Sequence, residues 1–84
     1  MKAIKNLFRH KKTRLTECEQ EFTRMSSELK TMEAYISSKA FENESLKMKE
    51  VLINKQRAIK VYVSVLAEQI SILRYDSAFG GKDE

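Results

Sequence analysis

Counting from Met1 in alternating steps of three and four reaches Met1, Ile4, Phe8, Lys11, Leu15, Cys18, Phe22, Met25, Leu29, Met32 and Ile36, and every one except Lys11 is apolar. In a chain of 42% hydrophobic content, chance produces such a row in about one sequence per hundred over all seven phases. The spacing is that of a helix laying a narrow seam, knobs into holes, against a neighbouring helix. A strand would bring every second residue to one face instead.

One local signal competes with a single long helix. Thr16 and Glu19 form a capping box, and Glu17, Glu19 and Glu21 crowd what would be a first turn. A helix over 16–37 preceded by a separate basic, amphipathic element over 1–15 is therefore one reading. Continuity is the other, because the seam passes Thr16 without a slip in phase.

After Ile36 the row breaks, since Lys39, Asn43 and Glu50 stand where apolar residues are due. The segment from Ser37 to Ser45 is poor in apolar spacing and rich in helix-neutral residues, so a turn is expected over 38–45. No glycine or proline marks it, which leaves one continuous rod as the alternative.

A second helix is expected over 46–79, with Met48, Leu52, Ile59, Tyr62, Val63, Leu66, Ile70 and Leu73 on one face. Val51, Ala58, Val65 and Ile72 recur beside that face at sevenfold spacing, and the polar residues shrink to a stripe of Arg57, Lys60, Ser64, Glu68 and Ser71. Ile59, Val61, Val63 and Val65 alternate as a strand would, but Leu66 to Arg74 returns to helical spacing. Gly80 and Gly81 stop the helix, and 80–84 read as a frayed tail.

These elements make one all-α domain over 1–84: an antiparallel two-helix hairpin, coiled-coil-like in its packing. Folding about the centre of the turn pairs residues whose numbers sum to about 81. Phe22 then faces Ile59, Cys18 faces Val63, Leu15 faces Leu66, Phe8 faces Leu73, Leu29 faces Leu52, and Met32 lies near Met48. The same register sets Glu21 by Lys60, Glu33 by Lys47 and Lys49, Arg14 by Glu68, and Lys5 by Asp76. The first helix spends its only seam in this pairing, whereas Val51, Ala58, Val61, Val65 and Ile72 on the second are left without partners. A surplus of that kind marks an interface, and dimerisation or a partner helix would complete a four-helix bundle.

Size supports the same expectation. A chain of 84 residues buries a small fraction of its surface, so a monomer is marginal. The single Cys18 can form no internal disulfide and fits a reducing, cytoplasmic setting. No apolar run has the length of a membrane span, and Met1 to Arg14 lacks the apolar core of a secretory signal.

Residues that carry chemistry are scarce. Cys18 occupies a seam position, as a small buried hydrophobe would. His10 lies between Arg9 and Lys11 with no acid near it, and two helical turns set it well around the axis from Cys18. There is no Gly-rich phosphate loop, no paired metal-ligand spacing and no nucleophile–base pairing, so no catalysis, cofactor or small-molecule substrate is expected. The expected function is a protein-interaction module, an adaptor or small chaperone-like binder, acting on another protein or on itself.

The alternative lies in the charge. Lys2, Lys5, Arg9, Lys11, Lys12 and Arg14 crowd the first fourteen residues without an acid, in a chain of net charge +4. Such an end suits nucleic acid or an anionic membrane, although only Phe8 interleaves it with an aromatic. Lys11, which interrupts the seam, either fixes the helix pairing or lays its stem along the apolar face.

Overall fold

The computed structural model describes residues 2–76, with side chains from Thr13 onward. Of these residues 92% are helical and none is in a strand. Three helices follow in order: α1, Lys2–Ile36; a single turn, α2, Lys39–Glu42; and α3, Leu46–Tyr75. Residues 77–84, which include Gly80 and Gly81 and the expected tail, lie outside the described residues, as do the side chains of 1–12.

α1 runs through Thr16 without interruption. The capping box there starts no helix, because the amides a cap would satisfy already have partners one turn back once the helix is continuous. The Ile59–Val65 alternation is helical as well, since a strand in a two-helix chain has no neighbour to pair its backbone with.

The turn is built from serine caps. Ser38 Oγ accepts from the Phe41 amide at 3.3 Å to start α2, and Ser45 Oγ accepts from the Met48 amide at 3.1 Å to start α3. The Ser37 amide donates to the Glu33 carbonyl, and the Ser38 amide and hydroxyl to that of Tyr35, which closes the end of α1. The Tyr35 hydroxyl bonds the Glu44 carboxylate, and Tyr35 meets Phe41 edge-to-face at 6.3 Å. Among the described residues no backbone position has positive φ, so the reversal needs no glycine.

α1 and α3 pack antiparallel. Side-chain bonds cross between them, among them Gln56 Nε2 to Glu33 at 3.3 Å, the Tyr62 hydroxyl to Glu21 at 2.6 Å, and Arg74 to Glu19 at 2.8 Å. Their residue numbers sum to 89, 83 and 93, each above the expected value of about 81 and centred about one heptad beyond it. Phe22 accordingly shares a groove with Ala67 and Ile70 rather than meeting Ile59, whereas Cys18 lines one with Tyr62 and Leu66, close to the expected Val63. Glu21 bonds Tyr62 instead of approaching Lys60, and Glu33 bonds Gln56 instead of Lys47 or Lys49.

A heptad slip costs the seam nothing, because it returns apolar residues to apolar residues. The connection decides between the two registers. α2 and the Tyr35–Phe41 contact lie at the end of α1 and meet the start of α3. Lys49 Nζ stands 6.0 Å from the Phe41 ring centre, while Leu46 is left 84% exposed.

The core is correspondingly thin. Ile59, Leu66, Ile70 and Leu73, all on α3, are buried to 4–8% exposure, and no described side chain falls below 2%. On α1 the seam residues Leu15, Cys18, Phe22, Met25, Leu29, Met32 and Ile36 are each half-buried. They cover one face of α3.

Candidate protein-interaction surface

α3 carries two sevenfold rows one residue apart. Leu52, Ile59, Leu66 and Leu73 form the row turned to α1, with Leu52 half-buried and the other three buried. Val51, Ala58, Val65 and Ile72 form the other row, and all four are exposed. Successive residues stand about 100° apart around a helix axis, so the two rows meet at nearly a right angle. A helix at the corner of a four-helix bundle needs such a pair of rows, one for each neighbour.

Val61 widens the outer row. It is 63% exposed and Ile72 is 60% exposed, values of solvated side chains although both are aliphatic. All five residues expected to lack partners are exposed in the hairpin. At one edge Tyr62, also exposed, bridges to α1 through its bond to Glu21. Beyond the other edge lies the polar stripe of Arg57, Lys60, Ser64, Glu68 and Ser71, exposed throughout.

Along the α1–α3 boundary polar groups fix the hairpin. Glu21 accepts from the Tyr62 hydroxyl and from Arg24, whose guanidinium lies 2.6 Å away. The Tyr62 hydroxyl first, and Arg24 second, hold the Glu21 carboxyl below the usual carboxylate range, while the same carboxylate raises the Tyr62 phenol. Arg74 and Glu19 form an exposed ion pair from α3 to α1. Neither link follows from seam spacing: Tyr62 reads as a core residue there, and the Glu19–Arg74 pair exists only in the slipped register.

Other candidate chemistry gains little. Cys18 is half-buried in a groove of ≈ 290 Å³ with Arg14, Glu17, Glu21 and Tyr62 around it. Among the described residues no group of three or more His, Cys, Asp or Glu side chains is placed to hold a metal, and no helix is long and apolar enough to cross a membrane. Of the basic set, Arg14 is exposed, and the side chains of Lys2, Lys5, Arg9, Lys11 and Lys12 lie outside the described residues, as does that of His10. Comparison with protein-family models, with curated proteins and with solved structures gives no match for the chain.

Proposed function

We propose that the chain is a non-enzymatic protein-interaction module, an adaptor or small chaperone-like binder, whose working surface is Val51, Ala58, Val61, Val65 and Ile72 on α3. One observation carries the reading: the α1 seam from Leu15 to Ile36 is half-buried against one row of α3, while the adjacent row is exposed. Covering a Val or Ile side chain contributes about 1.5–3 kcal/mol. An assembly that covers this row gains what the thin hairpin core lacks. The lone thiol suits a reducing compartment such as the cytoplasm.

The test is the mass of the protein and of anything that co-purifies with it, measured by light scattering for the wild type and for the double variant Val65→Asp with Ile72→Asp. Both positions are exposed in the hairpin, so the variant is expected to keep its helical circular dichroism and lose its assembly. An unchanged assembly mass would remove this face from consideration.

A second reading rests on the continuity of α1 from Lys2. In an unbroken helix positions 2, 5, 9 and 12 recur at the spacing of one face, a row of cations suited to a polyanion or an anionic bilayer. Binding of that kind falls steeply with salt, whereas docking on the α3 row does not. Changing Lys5, Arg9, Lys12 and Arg14 to Glu should abolish retention on heparin or on anionic vesicles. Retention unaffected by the change would sink this alternative.

A further inference from the structure

We infer that the occupant of the outer α3 row is the same row of a second copy, laid antiparallel, so that two hairpins close a four-helix bundle through α3 against α3. This inference rests on the interaction reading above and names its partner. A two-fold interface must be self-complementary, each residue meeting its mirror position in the other copy. The row meets that demand about a point between Val61 and Tyr62: Val51 falls opposite the partner's Ile72, and Ala58 opposite the partner's Val65. The small residue meets the branched one, and the two aliphatic ends cover each other.

Charge selects the direction. Beside the first half of the row stand Lys47, Lys55 and Arg57, and beside the second half stand Glu68 and Asp76; Glu50 alone runs against the division. All of these except the half-buried Asp76 are exposed. Two copies laid parallel put Lys47 near Lys47 and Glu68 near Glu68. Laid antiparallel, they bring the basic half of each to the acidic half of the other, and the helix dipoles oppose as well. Arg74, the remaining cation of the second half, is turned to Glu19 on α1. An unrelated target helix would need the same two-part charge pattern; a second copy supplies it without further assumption.

The experiment has three arms. Sedimentation equilibrium of the full chain over the micromolar range should give twice the 9.8 kDa chain mass, and Val65→Asp with Ile72→Asp should weaken the dimer by about a hundredfold or more. The direction is read from an exchange variant, Lys47→Glu, Lys55→Glu, Arg57→Glu, Glu68→Lys and Asp76→Lys, mixed with wild type and followed by native mass spectrometry. Antiparallel pairing preserves attraction within each species and creates repulsion between them, so the mixture should sort into homodimers. Mixed dimers in excess of the statistical share would overturn the antiparallel arrangement. A wild-type monomer throughout the range would overturn self-pairing while leaving the interaction reading intact, provided a co-purified complex still depends on Val65 and Ile72. A dimer indifferent to the aspartate variant would overturn both.

Discussion

At the scale of single residues the hairpin is held by polar contacts at the edge of its seam, and Tyr62 is the most informative. Its hydroxyl reaches 2.6 Å to Glu21 across the α1–α3 boundary, lowering the Glu21 carboxyl and raising its own phenol. A carboxyl whose folded value is depressed adds stability above its unfolded value, and that addition is lost as pH falls through the folded value. A phenol whose folded value is raised adds stability below its unfolded value, and that addition is lost as pH rises through the folded one. One bond thus supports the fold between the two ranges and fails on either side. Tyr62→Phe should lower the melting temperature near neutrality and shrink the alkaline loss, part of which remains with the Tyr35 phenol that Glu44 raises in the same way. The acid loss should shrink without vanishing, because Arg24 still bonds Glu21. Melting temperatures from acid to alkaline pH check this; identical profiles for variant and wild type would count the contact as incidental.

Among the elements, the helices were legible in the residues and their register was not. Every α1 seam position from Leu15 to Ile36 is half-buried against α3, and the row at Val51, Ala58, Val65 and Ile72 stands clear of it, both as periodicity alone requires. A heptad row contains no information about which heptad faces which, so the pairing waits on the connection. Its Ser38 and Ser45 caps, and the packing of Tyr35 on Phe41, involve residues with no apolar period to read. Conversely, Thr16 with Glu19 has the composition of a helix start but lies within α1. These two sites separate experimentally. Ser45→Ala removes the acceptor of the Met48 amide at a true N-terminus and should cost about 1 kcal/mol. Thr16→Ala, exposed in mid-helix, should be neutral or slightly stabilising, since alanine has the higher helix propensity. Thermal or urea melts of the two variants decide; a larger loss at Thr16 than at Ser45 would mean that helix formation begins inside α1.

The described residues form a rod of 57 × 25 × 16 Å with a radius of gyration of 18.2 Å, where a compact domain of about this length would have about 12 Å. Its thin dimension is that of little more than one helix layer, so an α3 residue turned away from α1 has nothing beyond it. On the proposed reading stability depends on what covers the outer row, and folding is linked to association. Anything that binds only the folded chain raises its melting temperature in proportion to the logarithm of the free concentration of that binder. If the binder is a second copy, the melting temperature of the pure protein should climb as its own concentration is raised. The Val65→Asp, Ile72→Asp variant should melt lower and at a temperature independent of concentration, because its outer row no longer gains by being covered. Differential scanning calorimetry over a wide concentration range makes the comparison. A wild-type transition that stays fixed in temperature would mean that the hairpin alone carries the fold and that the exposed row contributes nothing to it in the absence of another protein.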